Sequence, residues 1–190
     1  VRATVLFSDL RGFTAHAEKL APEDLVAQLN DYVGVVVEAI RAEGGVVDKY
    51  VGDAVMAVFG VPRPSLSDAQ RAVRAAISMQ GALALHNVER TKRGLPALRQ
   101  GIGVHCGTVV AGNVGTTDRA SFTVIGDTVN VASRLESASK DLEVDIVISE
   151  DAARAAGAGV DEKCPVLVDA GVISVKGRAE PLRVFTPKLD

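Results

Sequence analysis

The run VVDKYVGDAVMAVFG, residues 46–60, most narrows what this chain can fold into. Two short apolar segments flank a Gly-Asp pair, the signature of a tight turn folding one strand back on the next. A hairpin pairs antiparallel, so the sheet that contains it cannot be purely parallel. ATVLFSDL, residues 3–10, reads as a strand. APEDLVAQLNDYVGVVVEAIRAEGG reads as a long helix. Pro22 stands in its first turn, Leu25, Leu29, Tyr32, Val36 and Ile40 make an apolar stripe, and Gly44-Gly45 stop it. A second helix spans the segment from Ser67, its expected N-cap, to Gly94. RQGIGVHCGTVVAGNVG reads as a glycine-punctuated strand pair, and FTVIGDTVNVASRLESASK as an extended piece turning helical near Asp127. VDIVISEDAARAAG is strand then helix, and GVISVKGRAEPLRVFTP a closing hairpin. The expectation is one α+β domain over residues 1–190, with a mainly antiparallel sheet and helices on one face.

Composition narrows function. A chain of 190 residues suits one sizeable core. The net charge of −3 gives no pull toward nucleic acid or an anionic membrane, and 4% aromatics without Trp leave no base-stacking platform. No apolar run approaches a membrane span. Cys106 and Cys164 lack CxxC spacing, which points to free thiols, a reducing compartment and a cytoplasmic domain. The start, already inside a strand, suggests a domain from a longer protein, whose upstream regulatory part or membrane anchor lies elsewhere.

Chemistry gathers at four places. Asp9, in VLFSDLRGFT, stands at the mouth of a strand, with Gly12 in the loop beyond. Asp53 stands in the hairpin turn, which can become a sheet neighbour of Asp9. Two such carboxylates repel unless a cation lies between them, and hard oxygen ligands suit Mg²⁺ or Mn²⁺. Exposed N–H groups near Gly12 can cradle phosphate. Asn130 and Arg134, in TVIGDTVNVASR, are i and i+4 on one helical face, an amide and a guanidinium suited to ribose and phosphate. Lys176, in SVKGR, precedes a glycine in the last hairpin. Each alone also reads blandly: a helix-capping acid, a turn aspartate, a surface pair, a solvated lysine.

Together, FSDLRGFT, DKYVGDAVMAVFG, FTVIGDTVNVASRLE and VKGRAEPLRVF, in this order and spacing, resemble the class III nucleotidyl cyclase catalytic domain over nearly the whole chain. The nearest subtype is the bacterial adenylyl cyclases related to bicarbonate-responsive enzymes. The resemblance implies a ferredoxin-like βααββαβ core and a head-to-tail homodimer with active sites at the interface. It implies that Asp9 and Asp53 bind two metal ions per site, Mg²⁺ or Mn²⁺. The backbone of Leu10, Arg11, Gly12, Phe13 and Thr14 would form the metal-and-triphosphate loop. Lys49 and Thr123 match the purine-selecting pair, Asn130 the ribose-orienting asparagine, Arg134 the transition-state arginine and Lys176 the triphosphate lysine.

The implied substrate is ATP, because a lysine can donate to adenine N1 and a threonine oxygen can accept from the 6-amino group, whereas guanine reverses that edge. The implied product is cyclic AMP with pyrophosphate, made by attack of the ribose 3′-oxygen on the α-phosphorus. The general base stays open among Asp9, water and a substrate phosphate. Bicarbonate regulation is a further implication of the subtype. Rival readings are a guanylyl cyclase, disfavoured by Lys49 and Thr123, and a non-catalytic nucleotide-binding or dimerisation module. A diguanylate cyclase lacks support because YVGDAV replaces its GG[DE]EF signature. His105 and Cys106, adjacent on a strand, face opposite ways and read as structural. Arg119 is as easily an exposed loop arginine as a triphosphate contact, and Asp127 reads as a helix cap.

Overall fold

The computed structural model describes residues 1–13, 20–116, 119–175 and 180–188. The hairpin predicted from residues 46–60 forms, with β2 (Val46–Val51) and β3 (Ala54–Phe59) joined by Gly52 and Asp53. Gly52 has φ +65°, a left-handed value that glycine adopts without strain. β3 pairs antiparallel with β1 (Arg2–Leu10), and β1 pairs along its whole length with β4 (Gln100–Thr108). β4 runs parallel to β7 (Ile146–Ser149), the one parallel pair of the main sheet among the described residues. β7 pairs with β9 (Leu182–Pro187), and β9 with β8 (Leu167–Ile173). The seven strands lie in the order β2-β3-β1-β4-β7-β9-β8. β5 (Val110–Thr116) and β6 (Arg119–Ile125) make a separate two-stranded ribbon. The sheet is therefore mainly antiparallel and mixed with helices, as the sequence predicts.

Among the described residues, three helices cover one face: α1 (Pro22–Ala42), α2 (Asp68–Lys92) and the short α4 (Glu150–Ala156). Their buried Tyr32, Val36, Ile40, Val73, Met79 and Ala152 join Leu6, Phe59, Ile102 and Ile148 of the sheet in one core. The expectation that every helix lies on that face is corrected by α3 (Asp127–Asp141), which lies on the other. Its Ala132 packs with Ala3, Val5, Met56 and Val58, the alternate residues of β1 and β3. Its Val131 and Leu135 pack with Val147 and Val184.

The reason is written in β4. Gly101, Gly103 and Gly107 share a face of that strand, and each lies where an added Cβ would meet α3. At Gly103 it would fall inside the contact distance of the backbone atoms Glu136 N and Ala132 O. The helix backbone thus rests directly on the strand backbone.

Two capping expectations change. Ser67 holds the N-cap position of α2 but makes no side-chain cap bond; Asp68 Oδ2 instead accepts the Ser65 N–H at 2.6 Å. Asp127 is the first helical residue of α3, with Gly126 as N-cap, so its acid favours the positive helix end without capping it. Cys106 and Cys164 are free and buried, as read. Replacing Gly103 with alanine is expected to cost about 3 kcal/mol through overpacking against helix backbone, measured by urea unfolding, with Gly112→Ala, which meets nothing nearby, as the neutral control.

Candidate active site

β1 ends at the site. Its register runs Ser8↔Val55 against β3 and Asp9↔Gly101 against β4, which brings the end of the strand to the Gly52-Asp53 turn. Asp9 and Asp53, far apart in sequence, are brought together. Asp9 Oδ1 is buried without a hydrogen-bond partner among the described residues. Burial first, then the charge of Asp53 and a hydrogen bond to it, raise the Asp9 carboxyl to about 6, against a weaker pull from the Leu10 N–H. A protonated or repelling carboxylate pair with an orphaned oxygen fits a site built for a divalent cation. Among the described residues no cluster of three His, Cys, Asp or Glu stands arranged to hold a metal ion.

A third acid, missed by sequence reasoning, overhangs this pair. The space above Gly101, opposite Asp9, is filled by Glu136 Oε1 and Ser139 Oγ of α3. Burial, then the charge of Asp9, pushes the Glu136 carboxyl up to about 7. Its only signal in the sequence is its place two residues after Arg134, a spacing that puts the two on opposite sides of a helix.

The floor beneath Asp9 is a buried polar triangle. Ser8 Oγ lies 2.7 Å from Tyr32 Oη and 3.1 Å from Gln100 Oε1, which also accepts from Tyr32 Oη at 3.0 Å. It ties α1 to β1 and β4 directly behind the carboxylates. The loop residues expected to meet triphosphate contribute differently. Leu10 and Phe13 send side chains into the core. The Arg11 guanidinium turns away, pairing with Asp145 at 3.2 Å and donating to Ser139 Oγ at 3.1 Å. Only backbone at Leu10–Phe13 is left facing the site role, with Gly12 open and at φ +70°. Thr14 and Lys176, and the side chain of Arg119, fall outside the described residues.

Lys49 and Thr123 also meet, through a residue the sequence reading passed over. Thr123 Oγ1 donates to Asp48 Oδ2 at 2.7 Å, and Lys49 Nζ lies 3.3 Å from the same oxygen. Asn130 and Arg134 lie on α3, with Asn130 exposed and Arg134 partly so. At about 100° per residue, Arg134 points roughly opposite to Glu136, away from the carboxylate pair of its own chain. His105 is structural, its Nδ1 2.7 Å from Ser149 Oγ in the interior.

The comparisons with known proteins agree with this geometry. Residues 2–186 match the family described as the adenylate and guanylate cyclase catalytic domain, and the chain belongs to that family. It is 42% identical to an adenylate cyclase of Anabaena cylindrica over 98% of its length, and 35% identical to adenylate cyclase 1 of Rhizobium meliloti over 96%. The chain spans only 37% and 27% of those two relatives. The crystal structure of the adenylyl cyclase CyaB from P. aeruginosa superposes with a TM-score of 0.90 at 34% identity, covering 100% of this chain and 94% of that one. The guanylyl cyclase Cya2 superposes at 0.85 with 36% identity, covering 97% and 90%.

The raised carboxyls give a signed prediction. Asp9 goes from 3.8 to about 6 and Glu136 from 4.5 to about 7, so their contribution to stability is present in acid and lost as pH climbs from about 4 to about 7. In chelator, Asp9→Asn should gain melting temperature relative to the parent protein across that window. Added Mn²⁺ should raise the parent's melting temperature more at pH 8 than at pH 5, and Asp9→Asn should lose most of that gain.

Proposed function

We propose that this chain is the catalytic domain of an adenylyl cyclase, converting ATP to 3′,5′-cyclic AMP and pyrophosphate at sites shared between two copies. The meeting of Lys49 and Thr123 on Asp48 carries the adenine assignment: both base-reading side chains occupy one place, though they come from different ends of the fold. Lys49 donates to N1 and Thr123 accepts from the 6-amino group. Guanine would leave both groups facing the wrong polarity, and a site built to pair one polar edge disfavours the edge that leaves its groups unpaired. That pairing supports the adenylyl reading over the guanylyl one that the likeness to Cya2 would equally allow.

Asp9, Asp53 and the Leu10 carbonyl would hold divalent cations, Mg²⁺ or Mn²⁺, two per site. Bound there, such ions lower the pKa of a coordinated hydroxyl and neutralise triphosphate charge. The protein's own work is positional. Asn130 holds the ribose so that its 3′-oxygen lies in line with the α-phosphorus and the departing pyrophosphate. Arg134 meets the charge that grows on the α-phosphoryl oxygens. Backbone N–H groups after Leu10, with Lys176, receive the β- and γ-phosphates.

The opposed directions of Arg134 and the carboxylate pair support a site completed by a second copy. Exposed apolar side chains support it too: Val46, Tyr50 and Val51 on β2, and Val110, Val114, Phe122 and Ile125 on the ribbon. A head-to-tail homodimer would cover them and join each Asp9–Asp53 pair to its partner's Arg134. Among the described residues no helix is long and apolar enough to cross a membrane. Bicarbonate stimulation follows from the Lys-Thr subtype alone, and a flat rate across added bicarbonate at fixed pH removes it.

Purified protein supplied with ATP or GTP and Mn²⁺ should yield cyclic AMP far faster than cyclic GMP, identified by mass. Asp53→Ala and Arg134→Ala should each lower kcat by about 10²-fold or more. Mixed in equal amounts, they should recover roughly a quarter of parental activity, because half the dimers are mixed and each mixed dimer holds one intact site. No recovery in a mixture proven to contain heterodimers would rule out the shared site.

A further inference from the structure

A threonine hydroxyl has one proton and two lone pairs, so it can accept from an amino group or donate to a keto oxygen. Thr123 alone therefore does not distinguish adenine from guanine. Something must decide which way its proton points. We propose that Asp48 makes that decision and is the positioning residue for base selectivity; this rests on the adenylyl cyclase reading above.

Three observations converge. The Asp48 side chain is only 6% exposed, and its Oδ2 is shared by the Thr123 hydroxyl and the Lys49 ammonium. A carboxylate beside an ammonium only accepts, so the Thr123 proton is committed to it and the outward side of Oγ1 presents lone pairs alone. Asp48 also falls in a β-bulge: Val47 pairs with Ala57 and Lys49 with Met56, leaving Asp48 as the extra residue. Regular alternation would put Val47 and Lys49 on one face. The bulge breaks that rule, since Val47 packs with the core under α1 and α2 while Lys49 stands opposite Met56, in the core under α3. One inserted residue thus delivers the lysine to the threonine's face and supplies the carboxylate that orients both. Asp48 itself need not touch the nucleotide.

The test is the ratio of kcat/KM for ATP to that for GTP, on the whole chain in its dimeric form. Asp48→Ala frees the Thr123 proton, and the ratio should fall at least about tenfold. Asp48→Leu removes the acceptor while filling the space, and serves if the alanine variant does not fold. Asp48→Asn keeps an oxygen that both donors can orient toward themselves, and should keep the ratio within about threefold of the parent's. In a Thr123→Val background, Asp48→Ala should change the ratio much less, because the hydroxyl it governs is gone and only the lysine's orientation is left to lose. An equal loss on both nucleotides would give Asp48 a merely structural role and overturn the proposal. So would an undiminished ratio change in the Thr123→Val background. Parent protein that cyclises neither nucleotide would sink the cyclase reading instead. The relative binding of 3′-deoxy-ATP and 3′-deoxy-GTP, which cannot cyclise, then judges Asp48 by the same pattern across the variants.

Discussion

Backbone resting on backbone, α3 against β4, is the contact on which the rest of the site depends. Side chains ordinarily stand between the backbones of a packed helix and sheet; three glycines on one face of β4 remove that spacer. Glu136 thereby reaches over Asp9, while Asn130 and Arg134 are carried on the same rigid rod but aimed elsewhere. Under the proposed reading, the two halves of the chemistry are fixed to one scaffold that aims them apart, and close packing, rather than any catalytic residue, would divide the labour between copies.

The carboxylates illustrate the opposite tendency. Asp9, Asp53 and Glu136 crowd acids into a partly buried corner with little to neutralise them in the protein alone. The Ser8–Tyr32–Gln100 triangle holds the strand end rigidly in place despite this repulsion. The repulsion is offset by these buried hydrogen bonds and by the close-packed core directly beneath. Arg11 marks the boundary of the corner: it spends its guanidinium on Asp145 and Ser139, bracing the end of α3.

Much of this was legible in the sequence because the signals were local or periodic. The Gly-Asp turn gave the hairpin, the apolar stripe gave α1, and short motifs in order gave the family. What remained hidden depends on tertiary register. Nothing in GIGVHCG says that a helix will lie on those glycines, so α3 was expected on the wrong face. Asp127 and Ser67 carry the right chemistry for caps, but the chain enters each helix one residue away from the expected geometry or bonds elsewhere. Asp48 escaped notice because strict alternation points it away from Lys49, and a bulge leaves no composition signal. Glu136 escaped because the acids that crowd it, Asp9 and Asp53, come from β1 and the hairpin turn, which only the tertiary fold brings beside it.

The bulge in β2 also makes that strand behave like a reading frame. Side chains still alternate along β2, but the phase shifts at Asp48, so that Val47 sides with the core under α1 and α2 and Lys49 with the core under α3. Side-chain exchange along β2 can be gradual, because each position keeps its neighbourhood. A gain or loss of one residue there is not gradual: every downstream side chain changes sides at once, the lysine included. In this chain, the length of β2 thus constrains where Lys49 stands more tightly than the identity of any single neighbour does.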